Sequence, residues 1–148
     1  MIKTIAALIL SAILTPLPVM SDSPVKPYMD YRAITDTASP QYAITRQAVH
    51  EADGRLTVDG YTCVALGQQY GQVGDRFVVT VGGQEYKVIM ADAKRYCDTA
   101  GGAGWTGVNG HVVEMVVDSG MLPAECRTLG DCDSLMPGSV EEIARVNL

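Results

Sequence analysis

From Tyr61 onward, glycine and aspartate divide the sequence into short runs of β-forming residues, and this punctuation restricts the chain to a β-rich fold. Tyr61–Leu66 is the first run and Arg76–Val81 the second; Gly82-Gly83 is then a two-residue hairpin signal leading into the third, Glu85–Met90. A glycine-rich stretch from Gly101 to Gly110 precedes a fourth run, His111–Val117, and Val140–Val146 is a candidate for the last. Helix is expected only around Ser119–Ala124 and Val140–Ala144. Five or six short strands with so little helix predict a mainly β fold, a small six-stranded β-barrel.

The N-terminus has a different logic. A charge at Lys3, an apolar run from Ile5 to Leu14, Pro16 and Pro18, and then small Ser21 follow the order of a secretory signal, so 1–21 reads as a cleaved leader. The apolar run is about ten residues, half of what a membrane-spanning helix needs. The expected product is a soluble protein, extracellular or associated with a cell wall, with no membrane contact once the leader is gone. Residues 22–60 read as an extended arm and lead-in with Pro24, Pro27 and Pro40, and 61–148 as the barrel domain. Tyr28, Tyr31 and Tyr42 are expected to pin the arm to the domain, with sugar stacking as the alternative.

Without the leader, 10 Lys and Arg stand against 17 Asp and Glu, a charge of about −7, with no basic cluster to neutralise phosphates. Nucleic acid is therefore excluded as a partner, and a monomer is expected. Four cysteines in an exported chain favour disulfides. Cys126 and Cys132 bracket a short loop and are expected to pair locally, leaving a long-range Cys63–Cys97 bridge. Neither CxxC nor HxxxH spacing occurs, so zinc is disfavoured, and neither a metal nor a cofactor is expected.

Two acids stand out by position. Asp92 follows Val88-Ile89-Met90-Ala91 directly, at a strand end, and Glu114 interrupts an otherwise apolar strand. Alternation places Val113, Met115 and Val117 on one face of that strand and Val112, Glu114 and Val116 on the other, a mixed face of the kind that walls a groove. A carboxyl group against apolar neighbours keeps its proton toward neutrality, as a general acid must, and a second carboxylate nearby stabilises positive charge at a sugar carbon. The structural alternative has Asp92 capping a turn and Glu114 paired with Lys94 or Arg95. His111, at the start of the Glu114 strand, is placed to meet substrate or to be merely solvated. Trp105, between Gly104 and Thr106-Gly107, is a candidate sugar platform or a residue folded back on the domain.

The order of these segments carries a resemblance. Thr62-Cys63-Val64-Ala65-Leu66-Gly67, Gly74-Asp75-Arg76-Phe77-Val78-Val79-Thr80, Gly82-Gly83 and Val88-Ile89-Met90-Ala91-Asp92 resemble the double-psi β-barrel of rare lipoprotein A septal proteins, expansins and the 3D domains of bacterial wall enzymes. Val113-Glu114-Met115 is similar to a later Ile-Asp-Leu motif of those families, with Glu for Asp. Lys26-Pro27-Tyr28-Met29-Asp30-Tyr31-Arg32 resembles a segment preceding such barrels in secreted proteins of Gram-positive bacteria and their phages. Wall-cutting members carry Asp-Arg-Gly-Pro or Asp-Thr-Gly where this chain has Asp92-Ala93-Lys94-Arg95.

The resemblance implies a cell-wall polysaccharide as partner, peptidoglycan first, with Asp92 as acid of a lytic transglycosylase. Glu114 would then orient it or stabilise charge, Lys94 would bind a substrate carboxylate and Trp105 would stack a sugar. The alternative is a module without catalysis: expansin-like, an inhibitor or a virion component.

Overall fold

The computed structural model describes residues 13–147. Nine strands form one mixed sheet: β1 (Leu14–Leu17), β2 (Tyr28–Asp30), β3 (Val49–His50), β4 (Leu56–Val58), β5 (Tyr61–Gly67), β6 (Arg76–Val81), β7 (Gln84–Lys94), β8 (Glu114–Val117) and β9 (Val140–Val146). Among the described residues two short helices accompany them, α1 (Pro40–Gln47) and α2 (Ala124–Leu129), so the fold is mixed α/β.

The sheet runs β1-β9-β6-β7-β5-β4-β3, with β8 branching off β5 to pair in parallel with β2. It is not closed into a barrel, contrary to the six-stranded double-psi expectation. The cause lies beside β5. One flank of β5 is taken by β7, and the other is shared between β4 at Tyr61 and Thr62 and β8 at Val64 and Ala65. The ladder therefore forks instead of returning to its first strand. Its ends are a two-residue strand, β3, and β1, whose Pro16 has no N–H to offer, devices that blunt a sheet edge.

The strands read from Tyr61 onward form nearly as expected, because alternation and turn chemistry agree there. Gly82 and Gly83 both have positive φ, 54° and 80°, as the tight turn joining β6 to β7 requires. Phe77, Val79 and Val81 are fully buried on one face of β6. Val140–Ala144 is strand, not helix, and the helix expected over Ser119–Ala124 begins instead at Ala124, after a single 3-10 turn at Ser119–Met121.

The segment read as an arm supplies β2, α1, β3 and β4. Ser39 caps α1 by accepting from the Tyr42 N–H, and Pro40 occupies its first turn, a start signal the sequence carries openly. Two apolar layers lie on opposite faces of the central strands. Val64, Leu66, Val88 and Met90 face the larger one, while Cys63, Ala65, Ile89 and Ala91 face a smaller one roofed by Ile44 of α1 and Ala48 just beyond its end.

The arm is fastened at Lys26, whose side chain is 1 % exposed. Its Nζ donates to the Pro24 and Gly138 carbonyls (2.7 Å each) and to Asp133 Oδ1 (3.0 Å). Of the segment read as a leader, 1–12 lies outside the described residues. The rest is part of the fold: β1 pairs antiparallel with β9, Leu17 and Val19 pack on the main core, and the Pro18 carbonyl accepts from the buried Tyr70 hydroxyl (2.9 Å).

The structure contains neither expected disulfide; all four cysteines are free thiols. Cys63 is buried on β5 opposite Ile89, and burial pushes its thiol up to about 12. Cys97 is exposed beyond the end of β7, past the Lys94–Gly67 pair that lies four residues, roughly 13 Å, further along the ladder. That run exceeds the Cα separation of about 7 Å that a bridge spans. Cys126 and Cys132 are buried together in the main core as thiols, and burial and the neighbouring Cys126 hold Cys132 well above its ordinary value.

Candidate functional site

Asp92 reaches its place through a β-bulge. Along β7 the pairing with β5 runs Val88 to Thr62, Ile89 to Cys63 and Met90 to Val64, then skips Ala91 and resumes with Asp92 opposite Ala65. Strict alternation would turn Asp92 toward the main core with Val88 and Met90. The extra residue moves it onto the Ala65 face instead, a re-aiming that bulges commonly perform beside active sites.

Glu114 faces the same Ala65 from the other side, through the antiparallel β5–β8 pair. Three residues therefore stand abreast, Asp92–Ala65–Glu114, with the two acids' Cα atoms about 10 Å apart, two strand spacings. The small alanine between them leaves a floor. Above it opens a cavity of about 570 Å³ lined by Asp92, Lys94, His111 and Glu114, with Pro27 and Gln41 from the N-terminal segments.

The expected alternation on β8 holds from Glu114 onward: Met115 and Val117 face the main core and Val116 the smaller layer. Val112 joins the main core beside Val113, because the strand begins only at Glu114.

Burial raises both carboxyl groups above the ordinary carboxylate range, but their neighbours differ. Asp92 is raised by desolvation, opposed only by hydrogen bonds from the Ala93 backbone and from the Gln41 side chain, whose Nε2 lies 3.5 Å from Oδ1. Glu114 is raised by desolvation, opposed by the charge of Lys94 and assisted by Asp92 and Asp98. Lys94 is itself lowered by burial, which Glu114 counters, and its Nζ donates to the His111 carbonyl (2.9 Å). Burial and the Lys94 charge lower His111, against a smaller opposite pull from Asp131. Burial thus raises both acids, with a neutral amide as the side-chain partner of Asp92 and the Lys94 charge opposing the rise at Glu114.

The structure brings Asp92, Lys94, His111 and Glu114 together in one cavity and leaves Trp105 out of its lining. Trp105 is half-buried, edge-on to the Tyr70 ring with centroids 4.9 Å apart. Its loop rests on Gly67, where an added Cβ would collide with the Gly104 and Trp105 carbonyl oxygens. Gly67→Ala is expected to cost about 1–3 kcal/mol by overpacking, read as a lower melting temperature in thermal unfolding. Gln41 and Pro27 were not anticipated as site residues. His50, the other histidine, is occupied elsewhere, with Nδ1 2.8 Å from Asp118 Oδ2.

Among the described residues no cluster of three or more His, Cys, Asp or Glu has metal-binding geometry, and no helix is long and apolar enough to cross a membrane. Comparison with family models, with curated proteins and with solved structures found no match.

Proposed function

We propose that the cavity is a glycan site of an exported protein that acts on cell-wall polysaccharide, with peptidoglycan as substrate and lytic transglycosylase chemistry as the reaction. The observation that carries this reading is the pair Asp92 and Glu114, held abreast across Ala65 in one cavity and differing in what lies beside each. Protonated Asp92 gives its proton to the glycosidic oxygen as the C–O bond breaks. Its carboxylate then takes a proton from the sugar hydroxyl that closes the anhydro ring, which restores the acid. Glu114, within the field of Lys94, serves in this reading as the carboxylate that stabilises the positive charge developing at the sugar carbon.

Lys94 and Arg95 on the cavity wall supply cationic groups for the carboxylates of peptide-bearing glycan. Gln41, whose amide lies 3.5 Å from Asp92 Oδ1, is placed to orient it. The resemblance to wall-active families contributes the reaction type, while the acids' placement contributes their roles.

The test is incubation of purified protein with peptidoglycan sacculi, with Asp92→Asn in parallel, analysing soluble fragments and wall-bound protein. Anhydro-sugar fragments released by the wild type alone support the proposal. Co-sedimentation without release replaces it with a polysaccharide-binding module, and absence of both removes the glycan from the account.

A further inference from the structure

Resting on the glycan reading above, we infer that Tyr96, rather than Trp105, is the aromatic platform that receives a sugar ring at the rim of the cavity. Tyr96 is the only exposed Phe, Tyr or Trp among the described residues, at 45 %. It follows Arg95 directly and precedes Asp98 by two residues, both on the cavity wall, where they close an ion pair of 2.9 Å.

The ring has a built seat. An added Cβ on Gly104 would lie 2.5 Å from Tyr96 Cε1 and 3.0 Å from Cδ1, so the ring rests on the bare Gly104 backbone with the Gln69 stem beside it. The seat is fixed from below: the Thr99 hydroxyl donates to the Tyr96 carbonyl (2.6 Å) and accepts from the Gly104 N–H (2.9 Å), and Thr99 is itself buried. A large ring, braced on one side and open to solvent, contributes stacking area at little entropic cost. Trp105 lacks that freedom, being half-buried against Tyr70 and the main core. Val108, 66 % exposed on the cavity wall, extends the apolar rim.

The test uses the full chain carrying Asp92→Asn, so that ligand is not consumed, titrated calorimetrically with uncrosslinked peptidoglycan oligosaccharides. Tyr96→Leu is expected to weaken binding about tenfold, the scale of one lost stacking contact, with Tyr96→Phe and Tyr96→Trp within about threefold of the parent. Trp105→Phe is expected to leave affinity unchanged. A Tyr96→Leu affinity equal to the parent's overturns the platform, and so does a Tyr96→Phe loss as large as that of Tyr96→Leu, which would assign the effect to the hydroxyl. No binding by the parent at all overturns the glycan reading and the platform with it, whereas loss of the platform alone leaves the parent's binding intact.

Discussion

Asp92→Asn is expected to reduce release of glycan fragments by at least about 100-fold, the usual contribution of a positioned general acid, while leaving the fold intact. The same substitution is expected to make the protein more stable at neutral pH, not less. Burial raises the Asp92 carboxyl in the folded state, so the fold is most favoured below the ordinary aspartate range and loses stability as pH climbs through the raised value. Asn stays neutral and avoids that loss. Melting temperatures of the two proteins should therefore coincide in acid and separate toward neutrality, with the variant higher. A variant that melts well below the wild type at every pH would instead make Asp92 a structural residue. Cleavage by the wild type should fall over the same window as Asp92 loses its proton.

Lys26→Met is expected to produce the largest loss of stability. The ammonium is buried and its three acceptors are fixed, so removing it strands the Pro24 and Gly138 carbonyls and leaves Asp133 without its cation. Breaking a buried pair costs about 3–5 kcal/mol, and the 41 % exposure of Asp133 places this one at the lower end. For a chain of this size that corresponds to a fall of roughly 6–12 °C in melting temperature. Adding Asp133→Asn should recover part of the loss, because the stranded charge goes with it. A fall under about 2 °C would mean that the clamp contributes nothing beyond an ordinary surface contact. The effect should reach the cavity as well: Pro27 follows Lys26, lines the cavity wall, and its carbonyl accepts from the Met115 N–H one residue beyond Glu114.

The sequence made the strands from Tyr61 onward legible because their signals are local: alternation in Arg76–Val81, paired glycines at the hairpin, and an apolar run ending in a charge. It also marked both acids, since a carboxyl at a strand end or inside an apolar strand has few inexpensive fates. What brings the acids together is the skipped Ala91, and four consecutive apolar residues, Val88 to Ala91, hide the parity on which that bulge depends. Gln41 arrives through the docking of a helix only eight residues long, whose start signals at Ser39 and Pro40 are local but whose destination is not.

Barrel closure failed as an expectation because it depends on which strands share the flank of β5, a question no single strand's pattern answers. The cysteines misled for a related reason. Their even number speaks to redox environment, but their positions, one thiol mid-strand and another beyond a strand end, are set by the ladder. Of the two readings left open for Trp105, the structure shows the ring folded back on the domain, where bare Gly67 admits its loop and Gly104 seats the Tyr96 ring.

Strand β1 edges the sheet beside β9 although the two are far apart in sequence, as in the Asn147 side chain that donates to the Thr15 hydroxyl 132 residues away. Contacts of that separation carry the closure entropy of a very long loop. During synthesis Leu14–Leu17 emerges long before its partner β9, so β1 stays unpaired while the strands between them are made. On the proposal that the protein is exported, an export machinery would meet these residues before strand β9 could claim them.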